Sequence, residues 1–189
     1  MQTVAEIVAP AALETKAYGP VRAETEEVLQ FARTAALAFG GLDVVVNLVP
    51  LSAGDVDPAA TTADIEQLVA TRLALPVLLS KVAANRMSLV WTEGLILNVA
   101  TLTAPVEGAR QAIAAVIKAA LTAVTRADAE EWAARGIRFN AIAPQTVHTP
   151  AEPSLAGEPD VAALALYLAS GRGKALSGCV FEAQVGAGG

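Results

Sequence analysis

At 189 residues, 54% hydrophobic and only 17% charged, with a net charge of -6, the chain has the size of one domain with a self-supporting core. The acidity excludes nucleic acid as a partner, which needs clustered Lys and Arg, and apolar runs such as 42–46 and 95–99 are too short to cross a bilayer. A single cysteine, Cys179, and a single histidine, His148, exclude an internal disulfide and a Cys/His metal site, and residues 1–12 lack a leader-like pattern, so a cytoplasmic protein without metal is expected.

The mean hydropathy of +0.48 points to much buried sheet and a large apolar interface. Residues 1–18 form an irregular lead or a remnant strand, the strand spanning 13–18 before Gly19-Pro20 and lying beside a strand at 42–47. Acidic residues opening 24–38, and Val28, Leu29, Ala32, Ala35 and Ala36 near helical spacing, predict a helix that Gly40-Gly41 stops. The continuously apolar run 42–47 suits a central parallel strand.

A long helix is predicted over 61–87, capped by Thr61 or Thr62, with Asp64 and Glu66 at its positive end and Pro76 kinking or breaking it. A buried strand at 94–100 precedes a second long helix over 108–134, which Gly136 ends before a strand at 137–142. A Pro-rich loop at 144–159, a helix at 160–169 and a last strand at 178–185 complete the chain. This alternation predicts a single α/β domain over 1–189, with a mostly parallel sheet of about five strands covered on both faces.

From Gly40 to Gly186 the order of landmarks resembles a short-chain dehydrogenase/reductase. Gly41-Leu42-Asp43-Val44-Val45-Val46-Asn47 resembles the family strand ending in N-N-A-G, and Leu95-Ile96-Leu97-Asn98-Val99-Ala100-Thr101 the strand that delivers the catalytic serine. The segment Glu131-Trp132-Ala133-Ala134-Arg135-Gly136-Ile137-Arg138-Phe139-Asn140-Ala141-Ile142-Ala143-Pro144 matches the family's helix exit and sixth strand almost residue for residue. Asp160-Val161-Ala162 and Ser177-Gly178 fall where the last helix and strand belong. The resemblance implies a three-layer Rossmann-like fold, truncated in its N-terminal nucleotide-binding half.

The family's chemical positions, carried over one at a time, are degenerate. Its glycine-rich T-G-x-x-x-G-x-G turn, which approaches the cofactor pyrophosphate, has no match, and the first glycine is Gly19. The N-N-A-G turn has become Asn47-Leu48-Val49-Pro50. The Y-x-x-x-K motif aligns with Ala114 to Lys118, so the lysine survives without the tyrosine that transfers the proton. Thr101 stands at the serine position and Arg72 at the helix asparagine, whose carbonyl acceptor an arginine cannot replace. Gln145 replaces the glycine against which the nicotinamide lies, and Thr149 matches the threonine that holds its carboxamide.

The resemblance therefore implies no confident catalytic residue and no bound cofactor. Arg72, Thr101, Ala114 and Lys118 are vestigial catalytic positions, and Asn47 and Thr149 vestigial cofactor positions. Lys118 is expected as a snorkelling or ion-paired helix residue, Cys179 as a small buried apolar one, and His148 has no catalytic partner in its motif. The expected function is a structural or regulatory subunit, homo-oligomeric or hetero-oligomeric with an active short-chain dehydrogenase. In the family the two long helices, here 61–87 and 108–134, form a four-helix contact, and Ala109, Ala112, Ala115, Ala119, Ala120 and Ala123 allow close approach. The alternatives are a residual oxidoreductase or lyase-type enzyme using Thr101, Lys118 or Arg72, and a small-molecule binding protein using the old substrate cleft.

Overall fold

A computed structural model describes residues 4–16, 25–38, 42–51, 61–90, 93–102, 109–144 and 158–183. In chain order these form α1 (Val4–Val8), a 3-10 turn at Ala9–Ala11, α2 (Thr25–Ala38), β1 (Val44–Leu51), α3 (Thr62–Leu89) and β2 (Gly94–Leu102). There follow α4 (Ala109–Trp132), a 3-10 turn at Ala133–Arg135, β3 (Ile137–Pro144), α5 (Glu158–Ala169) and β4 (Val180–Ala183). All strand pairs are parallel in the order β1-β2-β3-β4, the α/β architecture expected.

Period-two alternation assigns each strand residue to a layer. Leu95, Leu97 and Val99 of β2 pack towards α1 and α5 with Val161, Ala162, Ala165 and Leu168. Ile96 packs the other way, with Ala83, Ala84 and Met87 of α3 and Trp132 of α4. With both faces covered, every residue from Gly94 to Ala100 is buried, which is why this stretch of the sequence is unbroken by charge.

The long helices start and stop for local reasons. Thr61 caps α3 in a reciprocal box: its Oγ1 accepts from the Asp64 amide at 3.3 Å, and Asp64 Oδ2 accepts from the Thr61 amide at 2.9 Å. On α4, Ile117, Leu121, Thr125 and Asp128 recur at helical spacing and face inwards. Gly136 takes the left-handed φ of 70° that ends the 3-10 turn and aims the chain into β3. By length and composition α3 is apolar enough to span a membrane, but its Ser80, Ala83, Ala84 and Met87 are buried inside the fold.

Three expectations require correction. Leu13–Lys16 carries no strand, and Leu13 is fully exposed; residues 17–18 of that expected strand lie outside the described residues. Among the described residues β1 is therefore an edge and the sheet has four strands. The lead at 1–18 is not irregular throughout either, for α1 lodges Val4 in the core against β2 and α5. Five residues are too few for a stable helix in isolation, so packing, not propensity, holds it. Of the two outcomes expected at Pro76, a kink or a break, the break does not occur, since α3 runs through it from Thr62 to Leu89.

Candidate functional site

Strands β1 and β2 run in register, which places Asn47 beside Asn98 and Pro50 beside Thr101. Asn47 Nδ2 donates to Asn98 Oδ1 at 2.7 Å and to Ser80 Oγ at 3.1 Å, and Ser80 Oγ donates to Asn98 Oδ1 at 2.9 Å. Asn98 and Ser80 are fully buried, so their polar atoms need these bonds. Asn47, a vestigial cofactor position in the sequence, is here part of a polar rivet joining β1, β2 and α3. Ser80 and Asn98 were not singled out from the sequence; a lone Asn inside the apolar run of β2 was the available signal.

At the carboxyl end of the sheet, Lys118 of α4 forms an ion pair with Glu182 of β4. Position 114 lies one helical turn before Lys118 on α4. Thr101 ends β2 as its penultimate residue, and Arg72 lies half-buried on α3. Gln145, His148 and Thr149 lie outside the described residues. Glu182 is the group sequence reading missed, although a lone charge in an apolar last strand marks it.

Two of the vestigial positions, Asn47 and Lys118, are engaged within the fold. The ammonium that would meet a cofactor hydroxyl is paired with a carboxylate, and Pro50 stands in strand β1 opposite Thr101. Beyond β1, where a strand and its glycine turn would approach a pyrophosphate, the described residues supply no strand. Among the described residues no three His, Cys, Asp or Glu side chains gather as a metal site.

A cleft of about 610 Å³ opens at the amino ends of β2 and β3, lined by Glu93, Arg126, Glu130, Arg138 and Lys174. Three of its charged groups, Glu93, Arg138 and Lys174, are engaged within the fold. Lys174 pairs with Glu93 at 2.8 Å, holding that carboxyl below the usual carboxylate range. Arg138 Nη1 donates to the carbonyls of Leu168 and Gly173 at 2.8 and 2.9 Å, closing the end of α5. Burial pushes the Arg138 guanidinium below the usual arginine range.

A family model described as enoyl-(acyl carrier protein) reductase matches residues 6–165. An uncharacterized oxidoreductase of Thermotoga maritima is 30% identical over 135 residues, 70% of this chain and 51% of that protein. Momilactone A synthase of Oryza sativa subsp. japonica is 31% identical over 173 residues, covering 76% of this chain and 61% of the enzyme. The chain thus spans little more than half the length of these relatives. A short chain dehydrogenase from Burkholderia cenocepacia, solved in complex with NADP, superposes with a TM-score of 0.65 at 25% identity, over 87% of this chain and 73% of that one. Acetoin dehydrogenase from Enterobacter cloacae gives a TM-score of 0.68 at 22% identity, over 86% and 71%, a likeness of fold alone.

Proposed function

This chain belongs to the short-chain dehydrogenase/reductase family, and from that premise we propose that it is a non-catalytic member serving as a structural or regulatory subunit. The observation that carries the reading is the state of the Y-x-x-x-K position. Alanine stands where the proton donor belongs, and the surviving Lys118 is committed to Glu182. A general acid must reach the reacting oxygen with a transferable proton, and a methyl group has none.

The partner is a second copy of this chain or an active dehydrogenase of the same family, docked on the outer faces of α3 and α4. Over 112–123 the solvent side of α4 presents Ala112, Ala115, Val116, Ala119 and Ala123, and the charged Arg126, Glu130 and Glu131 follow only in its last turns. Small residues on a helix exterior permit close approach of another helix, and Val116, 51% exposed, is an apolar group that such a contact would cover.

Two measurements test it together. Light scattering on the purified chain, and on a mixture with a full-length family dehydrogenase from the same source, should give a complex with one or the other. The chain alone should show no turnover of NADH or NADPH with carbonyl substrates. A monomer that reduces a carbonyl with either cofactor would overturn the proposal.

A further inference from the structure

Glu182 stands where the pattern of the sheet asks for an apolar side chain. On β4, Val180 packs on the α4 side with Ile117, Leu121 and Ala143, while Phe181 packs on the opposite side with the α5 cluster. Alternation then turns Glu182, two residues after Val180, towards α4. A carboxylate entering that layer is costly unless it meets a cation, and the cation it meets is Lys118. The pair is 28% and 42% exposed on its lysine and glutamate sides, so it sits at the rim of the layer, not sealed within it.

We infer that Glu182 is a positioning residue that neutralises Lys118, holding the ammonium towards β4 so that its charge is lent neither to position 114 nor to an incoming ligand. A free ammonium within about 4–6 Å of a phenol favours the phenolate and lowers its pKa. An ammonium in contact with a carboxylate presents only a dipole, whose influence one helical turn away is much smaller. The inference deepens the non-catalytic reading, on which it rests for its starting point, by adding a second lock: Ala114 removes the proton donor, and Glu182 removes the charge that would tune one.

The test is to introduce a phenol by Ala114→Tyr, with and without Glu182→Gln, and follow phenolate absorbance against pH. Subtracting the parent chain removes the signal of Tyr18 and Tyr167. The introduced phenol should titrate near the ordinary value of about 10 in Ala114→Tyr alone. With Glu182→Gln added it should titrate about one pH unit lower. Adding Lys118→Met to the pair should abolish that decrease. Identical titration with and without Glu182 overturns the inference.

A second measurement needs no new tyrosine. In the natural background, Glu182→Gln should make Lys118 react several-fold faster with an amine-acylating reagent, scored by peptide mass spectrometry against Lys16, Lys81 and Lys174. An unchanged relative rate also overturns the inference. Neither readout involves a cofactor or turnover. Enzymatic activity in the natural chain would therefore sink the non-catalytic reading and leave this inference standing, whereas a Glu182-independent lysine would do the reverse.

Discussion

Lys81 on α3 and Asp128 on α4 meet across the seam between the two long helices, the ammonium 3.2 Å from Asp128 Oδ1 and 3.5 Å from Glu131 Oε2. The two ends of this pair live in different solvents. Lys81 is half exposed, whereas Asp128 is buried and its Oδ2 has no hydrogen-bond partner among the described residues. The lysine therefore stabilises a carboxylate that water cannot reach, and Asp128 in turn raises the Lys81 pKa through their hydrogen bond.

Lys81→Met should accordingly cost about 2 kcal/mol in urea unfolding, below the usual figure for a broken buried pair because Lys81 already lies half in water. Lys81→Met with Asp128→Leu should recover most of that loss, since the uncompensated buried charge is gone. A double variant as unstable as the single one would show that the pair is not the cause. The pH dependence has a definite sign. A raised lysine pKa contributes stability in full below the unfolded value of about 10.4, and that contribution is lost as pH rises through the folded value. The natural chain should thus lose stability above about pH 10.4 more steeply than Lys81→Met.

The rivet of Asn47, Ser80 and Asn98 makes a separate prediction. Asn98→Ala removes the oxygen that accepts from both Asn47 Nδ2 and Ser80 Oγ; Asn47 Nδ2 keeps Ser80 Oγ and the Pro76 carbonyl, whereas the buried Ser80 hydroxyl loses its acceptor. The expected cost is about 2 kcal/mol, since the buried Ser80 hydroxyl left unsatisfied loses its compensation for desolvation. Asn47→Ala should cost less, because Ser80 keeps its bond to Asn98. Equal losses in thermal unfolding would remove the distinction between the shared acceptor and one of its donors.

What was legible in the chain was what repeats locally. The run at 94–100 reads as a buried strand because both of its faces are covered, and the start of α3 reads, to within Thr61 or Thr62, from a threonine before an acidic first turn, because a helix cap is built from neighbouring residues. The failures are long-range. Val4 is helical because β2 and α5 receive it, and nothing within 1–18 records those partners. Lys118 is ion-paired, one of the two states its sequence suggests, but the identity of its partner, 64 positions away on another element, is beyond the reach of any spacing rule. Asn47 was singled out for the motif it resembles, whereas its bonds to Ser80 and Asn98, 33 and 51 positions distant, follow from strand register.

Gly173 is constrained by its neighbours. A Cβ added there would lie 2.5 Å from both the Leu168 Cα and the Tyr167 carbonyl oxygen, so backbone would have to move. The same turn presents the Gly173 carbonyl to Arg138. Gly173→Ala should therefore destabilise the chain by about 2 kcal/mol through overpacking, and weaken the Arg138 cap at the end of α5. Gly171→Ala is the control, since a Cβ there meets nothing within 4 Å. Hydrogen exchange at Leu168–Ser170 should quicken in the first variant and stay unchanged in the second.

The proposed contact through α3 and α4 can be broken without disturbing the core. Ala115, Val116 and Ala119 sit on the outside of α4, while the stabilising residues of that helix, Ile117 and Leu121, point inwards. A charge placed outside meets only water in the monomer, so Ala119→Glu should leave the unfolding midpoint of a dissociated chain within the small range usual for surface substitutions. In a close helix-to-helix contact the same side chain has no volume to occupy and no counter-charge on an alanine face, and its desolvation adds to the overpacking. Sedimentation or light scattering should therefore show Ala119→Glu, and Ala115→Glu likewise, dissociated at concentrations where the natural chain is assembled. Leu89→Glu on α3 extends the test, since Leu89 is 65% exposed although large and apolar. If all three variants keep the assembly state of the parent, the partner sits elsewhere, and α4 carries its alanines as a solvent-facing helix surface and nothing more.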